Sequence, residues 1–158
     1  MRKFLKSFVY AAKGIVYSLR GRNMRIHICA ALFVMYFALK FYSLSRGELA
    51  LLILTVSAVI SLEAANTAIE CLADYAAKST HPLIAHCKDC AAGAVLIAAA
   101  GSVFIGIALL WDTEVFREIF EYYSVDAARI IPAALSVIGA LCFIIVPEIL
   151  HKKNNPQR

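Results

Sequence analysis

The feature that most constrains this sequence is the arrangement of its apolar residues in four long blocks. The blocks cover residues 28–44, 49–62, 90–111 and 130–147. A helix that crosses a membrane needs about 20 mostly apolar residues (roughly 17–25). The last two blocks contain no Asp, Glu, Lys or Arg and reach that length. The first block reaches this length if the helix tolerates Lys40, and the second block reaches it if the helix continues past Glu63.

The apolar blocks are expected to be helices, because lipid offers no water to satisfy open backbone groups. They lack the alternation of polar and apolar residues that a membrane β-barrel requires. Before them, residues 1–25 place apolar and basic side chains on opposite helical faces, a pattern typical of a helix in the membrane interface. The sequence therefore predicts an all-α integral membrane protein with an amphipathic N-terminal surface helix and about four transmembrane helices.

The distribution of basic residues predicts the orientation of these helices. With four spans, both termini lie on one side of the membrane, and that side would hold twelve of the sixteen Lys and Arg residues. The positive-inside rule then places both termini in the cytoplasm. The external loop, residues 112–126, would carry five acids. Charges throughout residues 1–25 indicate that this segment is not a cleavable signal peptide.

Polar side chains recur at helical spacing where the second block ends. Glu63, Asn66, Glu70 and Asp74 follow one another at intervals of three, four and four residues, so they share one face of a helix. We call this set the carboxylate stripe. A carboxylate near the bilayer centre costs about 2.5–3.5 kcal/mol on insertion scales. A chemical role is therefore favoured over one in which the stripe only hydrogen-bonds neighbouring helices.

Lys88 and Asp89 lie at the entry to the third block, near the same membrane interface. Carboxylates with a lysine nearby suit a divalent cation that bridges a polyphosphate, and phosphoryl transfer needs mainly positioning, charge neutralisation and a base. The sequence contains no glycine-rich P-loop, so a nucleotide would bind in another kind of site. Cys87 and Cys90 form a CxxC pair, but without further ligands at matching spacing we favour packing over metal binding.

The segments that contain these residues resemble the prokaryotic diacylglycerol kinase family, and in particular its undecaprenol kinase branch. The resembling segments are residues 13–15, 23–27, 63–70, 81–83 and 88–96, together with Asp74. The resemblance covers roughly residues 4–110. It implies a small homotrimer in the plasma (inner) membrane that uses Mg²⁺ and ATP to phosphorylate a lipid alcohol. The active sites would lie at subunit contacts and face the cytoplasm, and nucleic acid is not an expected partner.

The resemblance also implies roles for individual residues. Glu63 matches the catalytic base, Glu70 matches a metal ligand, and Asn66 and Asp74 would support them. The positions that match nucleotide-binding residues are Glu70, His81, Lys88 and Asp89. Glu63 is also the deepest acid of the stripe, which places it nearest to the hydroxyl group of a membrane lipid.

The sequence departs from the family pattern at two places, Gly21 and the fourth span. Gly21 stands where the family usually has a glutamate that serves as a second metal ligand. Residues 1–110 would form the kinase-like domain, and residues 111–158 would add the acidic loop, a fourth span and a basic cytoplasmic tail. The favoured substrate is undecaprenol, with diacylglycerol as the alternative. An inactive family member and an ion-coupled transporter are the alternatives from other classes.

Overall fold

The computed structural model describes residues 2–76 and 81–154, and these residues form six helices. The helices are α1 (Arg2–Ser18), α2 (Arg22–Phe41), α3 (Arg46–Ala76), α4 (Pro82–Leu110), α5 (Thr113–Ser124) and α6 (Ala127–Asn154). In the described part of the chain, α2, α3, α4 and the Ala127–Pro147 part of α6 are long and apolar enough to cross a membrane. The prediction of an all-α membrane protein with four spans is confirmed.

Helix α1 ends in a tight turn that leads into the first span. The amide of Arg20 donates to the Tyr17 carbonyl at 3.1 Å, and the amide of Gly21 donates to the Ser18 carbonyl at the same distance. Gly21 then precedes α2 in an extended conformation, with φ −68° and ψ 135°. The apolar side chains of α1, such as Phe8, are exposed, as expected for a helix that lies in a membrane interface.

Helices α3 and α4 form a hairpin that carries the predicted site. Helix α3 is 31 residues long and continues without a break past Glu63, as the second span requires. Helix α4 begins at Pro82, because proline suits the first helical position and His81 Nδ1 accepts a hydrogen bond from the Leu83 amide at 3.2 Å. Residues 82–89 are helical, and residues 77–80 lie outside the described part of the chain.

The segment predicted as an acidic loop contains a helix, α5. Asp112 caps this helix, since its Oδ1 accepts hydrogen bonds from the amides of Glu114 and Val115 at 2.9 and 3.3 Å. Aromatic side chains of α5 then pack against α2, with the Phe41 and Tyr122 ring centroids 5.4 Å apart. Helix α6 continues past Pro147 to Asn154, and residues 155–158 lie outside the described part.

Three contacts between helices show how the ends of the spans are arranged. Arg25 at the start of α2 donates to the Ile144 carbonyl near the end of α6 at 3.1 Å. Lys88 at the start of α4 contacts Asp74 at the end of α3. At the opposite end of the bundle, Tyr42 donates to the Leu110 carbonyl at 2.6 Å. The spans therefore alternate in direction, and the start of α2 and the end of α6 lie at the same end as Asp74.

Candidate functional site

The carboxylate stripe runs from the interior of the bundle to its surface. Glu63 and Asn66 are 3% and 4% exposed, whereas Glu70 and Asp74 are exposed. The four residues lie on one face of α3, as their spacing predicts. The stripe therefore offers one carboxylate that is shielded from solvent and two that a water-soluble ligand can reach.

A local hydrogen bond orients the middle of the stripe. The Asn66 amide nitrogen donates to Glu70 Oε1 at 3.1 Å, while the side chain of Thr67 donates to the backbone carbonyl of Glu63 at 3.0 Å. The other amide atom, Asn66 Oδ1, is buried and has no hydrogen-bond partner in the described part of the protein. Leaving a buried acceptor unsatisfied costs about 1–3 kcal/mol. This oxygen therefore marks a place where a further donor or a cation would be stabilised.

Lys88 joins α4 to the exposed end of the stripe. Its Nζ donates to Asp74 Oδ1 at 2.8 Å, and the two side chains are 38% and 72% exposed. The ammonium group thus contacts the last carboxylate of the stripe, at the end of the α3–α4 hairpin that is open to solvent.

The other two predicted nucleotide-binding residues lie at the same end of the hairpin but apart from the stripe. His81 is exposed and accepts the capping hydrogen bond from Leu83. Asp89 is exposed and follows Lys88 directly, so its side chain points about 100° around the helix. Within residues 2–76 and 81–154, no hydrogen bond or ion pair joins His81 or Asp89 to Glu63, Asn66 or Glu70.

The predicted metal ligands can be compared with what Mg²⁺ requires. Among the described residues, no three His, Cys, Asp or Glu side chains are grouped closely enough to hold a metal ion. Mg²⁺, however, is often held by one or two carboxylates together with substrate phosphates. The Glu70 carboxylate and the unpaired Asn66 Oδ1 are hard oxygen donors of the right kind. The donors therefore fit a magnesium ion that is shared with a nucleotide.

Helix α1 contacts the stripe helix beside Glu70. The Tyr17 hydroxyl lies 3.4 Å from the Cys71 sulfur, and this hydrogen bond raises the pKa of Tyr17 above its usual value. Gly21, four residues after Tyr17, lies in the turn that follows. A Cβ atom added at Gly21 would meet the Ser18 carbonyl oxygen at 3.4 Å. This is an ordinary contact, so a larger side chain fits at this position.

Arg25 is a buried residue of this region that the sequence did not reveal. It is 4% exposed, and its Nη1 donates to the carbonyls of Leu19 and Arg20 at 3.3 and 3.1 Å. These carbonyls belong to the turn after α1, which Arg25 therefore stabilises. In the sequence Arg25 lies in the resembling segment 23–27 and is one of the basic residues at the predicted cytoplasmic end. Nothing in its local sequence distinguishes a buried arginine from an exposed one.

These features define a polytopic membrane protein whose acidic site has the groups that phosphoryl transfer needs. Residues 9–110 match the sequence model of the family described as prokaryotic diacylglycerol kinase. The chain belongs to this family, and it is thus a lipid kinase, a phosphotransferase. The resemblance stated from the sequence is confirmed. Helices α5 and α6 lie beyond the matched residues.

Two curated relatives are similar to the chain over 108 residues each. An undecaprenol kinase of Bacillus subtilis (strain 168) is 39% identical, and the alignment covers 68% of this chain and 87% of the relative. A diacylglycerol kinase of Synechocystis sp. is 42% identical, and the alignment covers 67% of this chain and 61% of the relative. The chain thus spans about three fifths of the length of the Synechocystis protein. No solved structure matches the chain.

Proposed function

We propose that the protein transfers the γ-phosphate of ATP to a membrane lipid alcohol in a magnesium-dependent reaction, with undecaprenol preferred over diacylglycerol. The observation that carries this proposal is the graded exposure of the carboxylate stripe. Glu63 is buried and Glu70 is exposed, and their separation of seven positions corresponds to about 10 Å along the helix axis. A lipid hydroxyl group can therefore approach Glu63 from the apolar side, while a nucleotide approaches Glu70 from the open end.

In this mechanism Glu63 accepts the proton of the lipid hydroxyl as the hydroxyl oxygen attacks the γ-phosphorus. The bond between the γ-phosphorus and the β–γ bridging oxygen breaks, and ADP leaves. Asn66 holds Glu70 in position through their hydrogen bond, and Asn66 Oδ1 has no hydrogen-bond partner in the described part of the protein. Lys88 neutralises negative charge on the phosphates. A magnesium ion held by Glu70, Asn66 and the phosphates would neutralise further charge and fix the orientation of the transferred group.

The roles of the remaining predicted residues rest on the resemblance and on their location. Asp74 forms an ion pair with the Lys88 ammonium group. The strength of this pair would determine how readily Lys88 leaves Asp74 to bind a phosphate. His81 and Asp89 are exposed at the open end of the hairpin, where a nucleotide would approach, and we propose that they contact it.

We further propose that the protein is a homotrimer in the plasma (inner) membrane, with the site facing the cytoplasm. The orientation is supported by the twelve of sixteen Lys and Arg residues at the end that carries the stripe. The trimer is supported by the surface of α4, where Leu96, Ile97 and Phe104 are 70–76% exposed in the single chain. The same helix is rich in alanine and glycine, which allow close packing between helices in lipid.

An apolar cavity supports a substrate with a long hydrocarbon chain. It has a volume of about 620 Å³ and lies between α2, α3 and α4. The cavity reaches Val59 and Ile60, one turn before Glu63, and extends to Trp111 at the other end of the bundle. An apolar chain held there would place its hydroxyl end near Glu63. The preference for undecaprenol is supported by similarity over most of the length of a relative named undecaprenol kinase.

The proposal is tested with purified protein, labelled ATP, magnesium and a panel of lipid alcohols that includes undecaprenol and diacylglycerol. We expect the wild type to label undecaprenol. Glu63→Gln should lower turnover by about 10²–10⁴-fold, the usual contribution of a general base, with little change in the KM for ATP. Glu48→Gln makes the same change at the far end of α3, so it should keep activity.

Each alternative has its own outcome in these experiments. Near-normal turnover of Glu63→Gln would remove Glu63 from the role of base. Labelling of diacylglycerol alone would replace the proposed substrate. A protein that moves an ion across liposomes without labelling lipid would be a transporter, and a protein that does neither would be an inactive member of the family.

A further inference from the structure

We call the helices within the family match, α1–α4, the kinase core. A second cavity lies between this core and helices α5 and α6, which extend beyond the match. It has a volume of about 850 Å³ and is lined by α2, α5 and α6. We call it the Lys40 groove, and its lining includes Phe33, Lys40, Arg129, Ala133 and Ala140. Lys40 and Arg129 lie at the end of the bundle opposite the carboxylate stripe, because Lys40 is in the last turn of α2. The groove is thus separate from the proposed kinase site.

The walls of the groove are apolar and are not filled by neighbouring side chains. Small residues of α6, namely Ala133, Ser136 and Ala140, line it at intervals of three and four. A Cβ atom added at Gly139, which also lines the groove, would meet nothing within 4 Å. The space between α2 and α6 is therefore open to an apolar chain.

The end of the groove at Lys40 carries two cations and a cluster of tyrosines. Lys40 Nζ donates to the Tyr36 hydroxyl at 2.8 Å and lies 4.0 Å from the centroid of the Tyr122 ring. The Arg129 guanidinium lies 4.3 Å from the same centroid. The hydroxyls of Tyr36 and Tyr123 are 3.0 Å apart, and either can be the donor. Hydrogen-bond donors therefore surround one end of an apolar space.

The carboxylates near this cluster do not balance its charge. Arg129 Nε lies 3.8 Å from Asp126 Oδ2, at the outer limit of an ion pair. Lys40 has hydroxyl and ring partners in the described part of the chain and no carboxylate partner there. The Lys40, Arg129 and Asp126 cluster thus has a net positive charge, although it adjoins an apolar helix surface. A cation in such a place is expected to have a functional partner.

The dimensions of the groove match one leaflet of a bilayer. Its lining on α2 extends from Lys40 to Cys29, a separation of eleven positions that corresponds to about 16 Å of helix. The hydrocarbon core of a bilayer is about 30 Å thick, so the groove extends roughly to its middle. An acyl chain that starts at a headgroup beside Lys40 would run along this length.

We propose that the Lys40 groove binds a bilayer phospholipid whose headgroup carries a net negative charge. The lipid phosphate accepts hydrogen bonds from Lys40 and Arg129, which suit phosphate oxygens. One acyl chain lies between α2 and α6, along Phe33, Ala133 and Ala140. The lipid comes from the leaflet opposite the carboxylate stripe, and it fills the gap between the kinase core and α6.

The test is lipid binding to the purified full-length protein, measured by native mass spectrometry. The protein is titrated with phosphatidylglycerol or with phosphatidylcholine, which carries no net charge. We expect one saturable phosphatidylglycerol molecule per chain, bound more tightly than phosphatidylcholine. Lys40→Gln and Arg129→Gln should each weaken this binding about tenfold or more, the effect of losing one charge-assisted hydrogen bond. Lys40→Arg and Arg129→Lys keep the charge and should keep the preference.

A matched pair of α6 variants tests the location of the acyl chain. Ala133→Phe fills the groove and should abolish the saturable binding, whereas Ala134→Phe adds the same side chain outside the groove lining and should not. Equal binding of the two lipids to the wild type would overturn the proposal, and so would binding that none of the groove variants changes. Displacement of the lipid by millimolar inorganic phosphate would instead indicate an anion site without a chain groove. Assembly of two chains through the groove, blocked by Ala133→Phe, would show that a second copy fills it.

Discussion

Lys88 contacts Asp74, and one substitution can separate the structural role of Lys88 from its role as a phosphate ligand. Lys88→Met removes the ammonium group and keeps most of the side-chain volume. The Nζ–Oδ1 distance is 2.8 Å, but the side chains are 38% and 72% exposed. Exposed ion pairs contribute about 0–1 kcal/mol, so the free energy of unfolding should change by less than about 1 kcal/mol. As a link between α3 and α4, Lys88 is thus expected to be nearly dispensable.

As a phosphate ligand, Lys88 should matter much more. Hydrogen bonds to charged groups contribute about 1.5–3 kcal/mol, which corresponds to roughly 10–150-fold in affinity because each 1.4 kcal/mol is tenfold. We therefore expect Lys88→Met to raise the KM for ATP at least tenfold. Asp74→Asn releases Lys88 and removes a negative charge beside the phosphates, so it should leave the KM for ATP unchanged or lower it.

The assay measures lipid labelling against ATP concentration, together with thermal inactivation of each variant. Arg117→Met is the matched control, because Arg117 and Glu114 form an exposed ion pair within α5, far from the stripe. It should change neither quantity. A change in KM of less than about threefold for Lys88→Met would refute the nucleotide role. If Asp74→Asn raised the KM as much as Lys88→Met, the pair would act as one structural unit instead.

Three further predictions concern the residues around the stripe. Asn66→Leu removes the hydrogen bond to Glu70 and the free Oδ1, so the magnesium concentration for half-maximal labelling should rise several-fold; an unchanged value would exclude Asn66 from the metal site. Gly21→Glu, alone or with one inserted residue, restores the carboxylate usual in the family and should lower that magnesium concentration. Unchanged magnesium dependence would mean that the site is complete without position 21. Arg25→Met removes three hydrogen bonds from a buried cation to backbone carbonyls and should destabilise the protein by several kcal/mol, seen as faster thermal inactivation, whereas exposed Arg46→Met should not; equal effects would contradict the packing role of Arg25.

The helices and the stripe follow from the sequence because both depend on local spacing. The apolar blocks are long enough to span a membrane only as helices, and α3 had to continue past Glu63 for the second block to reach that length. Once the segment is helical, the intervals between Glu63, Asn66, Glu70 and Asp74 fix their common face. The gradient from buried Glu63 to exposed Glu70 follows from the position of each residue along the span.

The contacts between helices could not be predicted, because they depend on packing between distant parts of the chain. The donor group of Arg25 and its acceptor at Ile144 are separated by 119 positions, and no local pattern relates them. The cluster around Lys40 could not be predicted either, because its aromatic rings come from two helices, α2 and α5. Helix α5 is different: the capping residue Asp112 and the spacing of Phe116 and Phe120 were available in the sequence. The five acids of residues 112–126 are equally typical of an exposed loop.

The two helices beyond the family match are attached to the core at both ends of the bundle. At the stripe end, Arg25 joins the Ile144 carbonyl of α6 to the turn after α1, the same turn that contains Gly21. At the opposite end, Lys40 and Tyr36 of α2 contact Tyr122 and Tyr123. Helix α6 therefore helps to fix the turn that holds position 21, although it contributes no residue to the stripe.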